Sequence, residues 1–578
     1  MAKMLATPLA RRLLYVLACV LPVWAVVAYF TGGVGWMLGP IRISSRQPLR
    51  PLLIGLAFAG WYFWTYPRAE READGRWLER WVARVLPFAV PVAILLAVYL
   101  GIHYGSFAAA GSDSYGYLSQ ARLWLTGLPR VEQPWVQDFS WPNRGWVFSP
   151  LGYRPFSPDG TIVPTYPSGL PILMAISIAV FGDNGPFYVV PVSAALLLWL
   201  TYVLGKDATG SRTVGALAAS LLLASPVLLS HLLVPMSDIP GAAGWTLAAV
   251  LVLKQRPLAA GIASGAALLI RPNLVLLALT PTLGWQQKRE PLVRYAIGIV
   301  PGVLAIMVIN TLLYGGPLSS GYGSIFEPYS WSSVPLNLRN YVVWMVETQT
   351  PFILLALLPL FVRGALRDDS PALSTRACLG AIVGLTFLSY LFYANFNHWS
   401  YLRFLLPAYP ALFVLLAAAL RWLTWKLPLD ARVPAAAIVC AVMIPFGVNI
   451  ARREGVFGVA TFEQRHMRAA NEVASRTPPE AIVLCVQHSG SVRYYANRTT
   501  LRYDWLEEGA LDGALRDLAA KGRPAYLVVD DWEEKEFRDR FSPANRAGRL
   551  DWAPIARVPG SPEVRIFDLR DGGPAPAK

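Results

Sequence analysis

Apolar runs of membrane-crossing length recur along almost the whole chain, and no other feature limits its fold so tightly. A helix needs about 20 mostly apolar residues to cross a bilayer, and somewhat fewer within a bundle. By that rule about thirteen spans are expected, near residues 13–30, 51–66, 86–102, 186–204, 213–230, 240–253, 258–270, 273–285, 292–312, 351–363, 377–394, 404–420 and 433–449. Backbone groups at that depth have no water to bond, so each span must be helical. Only 15% of the 578 residues are charged and 55% are hydrophobic, which excludes a cytosolic enzyme. The 47 prolines and 46 glycines are dispersed and form no repeat, which excludes collagen-like, low-complexity and coiled-coil chains. The chain reads as a polytopic α-helical membrane protein.

Charge placement sets sidedness. Lys and Arg total 51 against 36 Asp and Glu, a net of +15. The excess is dealt into short loops and forms no nucleic-acid patch. Arg68, Arg71, Arg76, Arg80 and Arg84 share one loop, followed by Lys206 with Arg212, Lys254 with Arg256, and Lys288 with Arg289. Arg363, Arg367 and Arg376, then Arg421 and Lys426, continue the series. With the N-terminus in the cytoplasm all of these loops lie inside, as the positive-inside rule requires. The loop at 31–50, with Arg42, Arg46 and Arg50, is the exception. The first run follows Lys3, Arg11 and Arg12 without a small-residue cleavage site and reads as an uncleaved anchor.

For this arrangement the apolar stretch 168–182 must not cross, so it is expected to be an outer-leaflet or re-entrant helix packed on protein. Residues 103–185 then form one large extracytoplasmic loop. The tail is a different kind of polymer, with strand-like runs at 481–487, 525–531 and 564–569 and a helical pattern at 510–521. Strands alternating with helices point to a small α/β domain. Three regions follow: a two-helix extension with a basic cytoplasmic loop (1–85), a transmembrane core (86–450), and an extracytoplasmic α/β domain (451–578). The cysteines Cys19, Cys378, Cys440 and Cys485 show neither a disulfide framework nor zinc spacing.

Ionisable groups in or near the membrane are expensive, so each is a functional candidate. Asp113, Asp238, Arg271, His398 and Arg403 gather at the outer ends of spans, whereas span interiors are almost free of charge. Asp113, in GSDSYGYLSQARLWLTG, opens a helical pattern that suits the membrane surface, where it is either a helix cap or a general base for an acceptor hydroxyl. Asp238, in PMSDIPGAAGW, either separates two helices or orients the groups around Asp113. Arg271 and Arg403 are either snorkelling ends or guanidinium forks for a phosphate. His398, Arg154 and Arg339 serve equally as donors to it. Trp135, Trp141 and Trp146 are either interfacial anchors or platforms for a sugar face. No phosphate-binding nucleotide loop, dinucleotide fingerprint or zinc-protease helix is present. Asp113 and Asp238 alone leave a divalent metal possible but without a ligand set.

Six strings, SDSYGYLSQARLWLTG, TYPSGLPIL, LLASPVLLSHLLVPMSDIP, GIASGAALLIRPN, TLLYGGPLSSGYG and NHWSYLRFLLPAYP, follow one another between residues 86 and 425. In their order and spacing the chain resembles the membrane-embedded C-type (GT-C) glycosyltransferases that use polyprenyl-phosphate-linked sugars. That group includes protein O-mannosyltransferases and the lipid A aminoarabinose and galacturonic acid transferases. The resemblance implies a catalytic aspartate at Asp113, a second acidic residue lining the site at Asp238, and basic residues gripping the carrier phosphate. Many relatives carry a paired Asp-Glu at the first position, whereas Asp113 here is flanked by serines. The expected activity is inverting transfer of a hexose or pentose from a polyprenyl-phosphate donor to a hydroxyl of a glycan, lipid or protein. It would take place on the outer face of a bacterial inner membrane, with membrane lipids and no nucleic acid as partners. A lipid-linked sugar flippase would place charge near the midplane, and an O-antigen ligase or polymerase would rely on a large late outer loop. Here the carboxylates stand early and high.

Overall fold

The computed structural model describes residues 7–570 apart from 39–40, 128, 286–288, 325 and 368–373. Lys3, Lys288 and the side chain of Arg42 lie outside the described residues. Among the described residues six helical stretches are long and apolar enough to cross a membrane: Pro8–Thr31, Arg68–His103, Gly169–Thr209, Arg289–Tyr314, Trp399–Thr424 and Leu429–Arg453. Two bent pairs raise the number to eight, Arg212–Leu223 with Pro226–Leu232 at 64° and Trp331–Gln349 with Pro351–Leu360 at 109°. Asp238–Leu253, Pro257–Ile270, Pro272–Gly284 and Thr375–Leu391 are shorter apolar helices. Six to eight spans by length and composition thus stand against about thirteen expected. Pro226 and Pro351 mark the bends that separate six from eight, and the rest of the difference lies in short apolar helices such as Asp238–Leu253 and Pro257–Ile270. Helix Arg289–Tyr314 leaves Val293, Ile297, Val300, Leu304 and Val308 exposed along one side, as lipid contact requires. The chain is an integral membrane protein.

Within Gly169–Thr209 the backbone turns sharply. Helix Gly169–Phe181 ends at Gly182, whose φ of 69° is costly for any residue with a Cβ. Ser177 Oγ then donates to the carbonyl of Gly185 at 2.7 Å. The first segment therefore folds back on helix Gly185–Thr209.

The bundle has two unlike ends. At one, Lys254 pairs with Asp207 at 3.3 Å, Arg421 donates to the carbonyl of Thr209 at 3.3 Å, and Trp422 donates to that of Arg363 at 3.2 Å. The basic loops thus meet in space. Asp238 and Arg403 stand at the opposite ends of the same helical segments. Near the N-terminus, buried Asp74 receives Arg11 at 2.8 and 3.1 Å and Tyr62 at 3.0 Å, while Tyr15 donates to the carbonyl of Asp430 at 2.7 Å. The Tyr15 bond fastens helix Pro8–Thr31 to helix Leu429–Arg453, and the bonds to Asp74 fasten helices Pro8–Thr31 and Leu49–Thr65 to helix Arg68–Val85.

The tail holds a five-stranded sheet of β1 (Ile482–Leu484), β2 (Thr499–Leu501), β3 (Ala525–Asp530), β4 (Ala556–Val558) and β5 (Val564–Asp568), in the order β4-β5-β3-β1-β2. β1 runs parallel to both neighbours, whereas β5 is antiparallel to β3 and β4. Helix Val459–Arg476 crosses the sheet with Ala469, Ala470 and Val473 fully buried.

His466 on that helix packs against His488, ring centroids 4.4 Å apart and planes tilted by 40°. Burial, then the charges of His488 and Arg465, hold His466 well below its ordinary 6.5. The folded domain therefore takes up this proton later than the unfolded chain does. The contribution of neutral His466 is complete above pH 6.5 and is lost as the pH falls below it. Asp530 adds a second window. Burial raises its carboxyl, but bonds from His488 and Arg465 outweigh that and hold it well below 3.8, so its contribution is lost only below that pH. Thermal unfolding of the full chain should show tail stability falling between pH 7 and pH 5, and His466→Gln should flatten that slope. An unchanged slope in the variant would refute the assignment.

Candidate active site

Asp113 is the first residue of helix Asp113–Thr126, where the exposed amide dipoles favour an anion. Gly127 ends the helix at φ 70°. The Asp113 carboxylate reaches two side chains from distant parts of the chain. Oδ1 accepts from the Tyr166 hydroxyl, and Oδ2 accepts from Arg403 Nη1 at 3.1 Å. Tyr166 comes from the TYPSG stretch ahead of helix Gly169–Phe181, and Ser112 Oγ bonds its hydroxyl at 2.7 Å. The tyrosine ring packs on Tyr117, centroids 4.8 Å apart.

Asp238 opens helix Asp238–Leu253 and pairs with Arg271 Nη1. Arg271 Nη2 donates to the Tyr390 hydroxyl at 2.9 Å, and Asn273 donates to the same oxygen at 2.8 Å. The Arg271 guanidinium lies 5.8 Å from both the Tyr390 and Phe404 rings. Arg403 lies 5.3 Å from Phe404 and 5.4 Å from Tyr401, and its Nη1 approaches Met236 Sδ at 3.4 Å. Phe404 is thus shared by the two arginines, and Arg403 feels the charge of both carboxylates.

Exposure separates the two ion pairs. The side chains of Asp113 and Arg403 are 28% and 19% exposed, against 4% and 9% for Asp238 and Arg271. Only the first pair is open to a substrate. Arg403 Nε is buried without a partner among the described residues, and an orphaned buried cationic donor is costly unless an anion meets it. Of the two arginines the sequence offered equally, Arg403 is the more exposed, and Arg271 is engaged on both arms of its fork.

The remaining predicted residues lie apart from these pairs. His398 is exposed, and its Nδ1 bonds Ser400 Oγ at 2.8 Å. Arg154 donates to the carbonyls of Ser320 and Gly321 at 3.2 and 3.4 Å. Arg339 is exposed on helix Val334–Gln349. Trp135, Trp141 and Trp146 pack at the contact between the first loop and the tail: Trp141 Nε1 donates to Asp517 at 2.7 Å, and Trp146 stacks on Trp505 at 4.8 Å. Neither the interfacial nor the sugar-stacking reading describes these contacts.

Sequence reading passed over Tyr166, Tyr390 and Tyr322. The hairpin Ser319–Ser320 with Gly323–Ser324 brings Tyr322 edge-on to Tyr166, centroids 6.3 Å apart. The positions of Tyr166 and Tyr322 within the quoted TYPSG and SSGYG strings were the available signal.

His488, Asp530 and Glu533 in the tail have ligating atoms within 4.8 Å of one another. Arg465 already occupies both Asp530 oxygens at 3.0 and 3.3 Å, and a guanidinium there opposes a cation. The cluster reads as a buried ion-pair network.

No family model and no curated protein matches the chain. Its fold is similar to that of ArnT from Cupriavidus metallidurans. Against the structure bound to undecaprenyl phosphate the TM-score is 0.53, and against the apo structure it is 0.51. Identity is 14% in both cases, with 84% of this chain and 99% of that one covered. At that identity the likeness shows a shared fold.

Proposed function

We propose that this chain is an inverting glycosyltransferase that moves a hexose or pentose from a polyprenyl-phosphate carrier to an acceptor hydroxyl at the extracytoplasmic face. The observation that carries this reading is the Asp113–Arg403 pair. A partly exposed carboxylate and a partly exposed guanidinium, whose buried Nε has no partner among the described residues, stand 3.1 Å apart at the bundle end opposite the basic loops. The fold is shared with a protein whose structure holds undecaprenyl phosphate, which supports a polyprenyl phosphate as carrier here.

In the resting arrangement Arg403 holds Asp113. A donor phosphate competes for the same guanidinium, so seating the donor releases the carboxylate as a base. The acceptor hydroxyl passes its proton to Asp113 and its oxygen bonds the anomeric carbon. The bond from that carbon to the phosphate oxygen breaks, and polyprenyl phosphate leaves with the electron pair. Arg403 stabilises the charge that develops on the leaving group. A single displacement of this kind inverts configuration. Asp238 and Arg271 are positioning residues behind this pair. The acceptor is a glycan, lipid or protein of the cell envelope.

Transfer in detergent micelles tests the reading, because moving a lipid across a membrane has no meaning without two compartments. Purified protein given a labelled polyprenyl-phosphate sugar and a lipid extract should pass the label to an acceptor and release polyprenyl phosphate. Nucleotide sugars should not replace the donor. Label that stays on the carrier would favour a flippase.

A further inference from the structure

Beside the tryptophan contacts at Asp517 and Trp505, the tail meets the first loop through a short segment, Ser489 to Tyr495, which leaves the carboxyl end of β1. It passes from a single α-turn into a π-helical turn at Val492–Ala496 and ends on Asn497 at φ 51°. π-turns are rare and concentrate at functional sites. The segment touches the first loop on both sides of Asp113. Ala109 N donates to the Tyr495 hydroxyl at 2.7 Å, and Leu151 N donates to Ser489 Oγ at 3.0 Å. Arg493 donates to the carbonyl of Phe148 at 2.6 Å and to Gln133 Oε1 at 2.8 Å. Between these bonds the Gly490 backbone lies flat on the ring of Tyr115, two residues beyond Asp113. A Cβ at Gly490 would stand 2.3 Å from Tyr115 Cγ and Cδ1, so only glycine fits without displacing the ring.

The other end of the segment is fixed in the sheet. His488 is fully buried, and its Nε2 bonds Asp530 at 3.1 Å. Asp530 is held in turn by Arg465, and Glu533 accepts from the backbone N–H of Gln487 at 3.2 Å. This network stands where the sheet topology reverses. From β1 the chain goes to β2 on one side, and then crosses to β3 on the other. The crevice beyond the carboxyl ends of strands at such a point is where open α/β sheets hold ligands. In this chain the segment leaving that crevice grips the helix that carries Asp113.

We propose that Ser489–Tyr495 is a positioning element that sets where the Asp113 carboxylate stands against the donor. This inference rests on the transferase reading. A base displaced by about 1 Å loses roughly 10²-fold in rate. Gly490→Ala forces Tyr115 away, whereas Tyr495→Phe removes only the bond to Ala109 and keeps the ring. In the full chain in detergent, both variants should lower kcat, Gly490→Ala by about 10- to 100-fold and Tyr495→Phe by less. KM for the donor and affinity for undecaprenyl phosphate should stay within about twofold of wild type, because the phosphate is bound by Arg403 from another element. Amide hydrogen exchange over residues 109–126 should quicken in both variants.

Unchanged kcat together with unchanged exchange would overturn the proposal. A fall confined to carrier affinity would overturn it too, since that is what general loosening of the site produces. If the wild type transfers nothing, the transferase reading fails by itself. The exchange comparison then still decides whether the segment holds the helix, faster exchange upholding that contact and unchanged exchange refuting it.

Discussion

Asp113→Asn should lower the transfer rate by about 10²- to 10⁴-fold, the range general-base catalysis contributes, while the protein still folds and binds undecaprenyl phosphate. Asparagine matches the shape of aspartate, suits a helix start, and its amide oxygen still accepts from Tyr166. It cannot take a proton at neutral pH. The variant also gives up the negative partner of Arg403, a residue 19% exposed that is free to meet a phosphate. Carrier affinity should therefore be equal to that of wild type or tighter. Steady-state turnover beside direct binding of undecaprenyl phosphate separates the two effects. Full turnover by the variant would remove Asp113 from the mechanism.

The second large effect concerns stability. Arg271→Ala leaves Asp238, a carboxylate 4% exposed, without its partner in a dry site, and breaking a buried pair in this way costs about 3–5 kcal/mol. It also frees the Tyr390 hydroxyl from one of its two donors. Thermal unfolding in detergent should show a large drop for this variant and for Asp238→Ala. Replacing both charges at once, as in Asp238→Asn with Arg271→Met, should recover much of the loss, since no charge is then left buried and unpaired. Arg403→Ala should behave in the opposite way, with unfolding little changed and carrier binding weakened. Equal losses of stability at Arg271 and Arg403 would contradict the division between an inner pair and an accessible one.

The four charged residues of the site were legible because charge at the ends of apolar runs is rare and expensive. Their pairing was not. Asp113 and Arg403 are 290 positions apart, and no local pattern joins them. The tyrosines were hidden for a different reason: a phenol near a membrane surface is common as an anchor, so Tyr390 carries no signal until its hydroxyl is seen on Arg271, and Tyr166 carries only its place in the TYPSG string until its hydroxyl is seen on Asp113. In the tail, the runs at 481–487, 525–531 and 564–569 contain β1, β3 and β5, the strands at the centre of the sheet. The edge strands β2 and β4, TTL and ARV, are as short as β1 but lack its flanking apolar run. The apolar runs were visible as helix, but their usable lengths were not, because proline and glycine bend several into pairs or short pieces. The close fit of Gly490 on Tyr115 belongs to this hidden class, since the two residues come from different regions of the chain.

The configuration of the transferred sugar bears most directly on Asp113 as a base. In a single turnover with a donor of defined anomeric configuration, the product's coupling constants by NMR should report inversion, with one polyprenyl phosphate released per sugar moved. Retention would contradict the account, because it requires a covalent glycosyl intermediate on a nucleophile in place of a proton passed to Asp113.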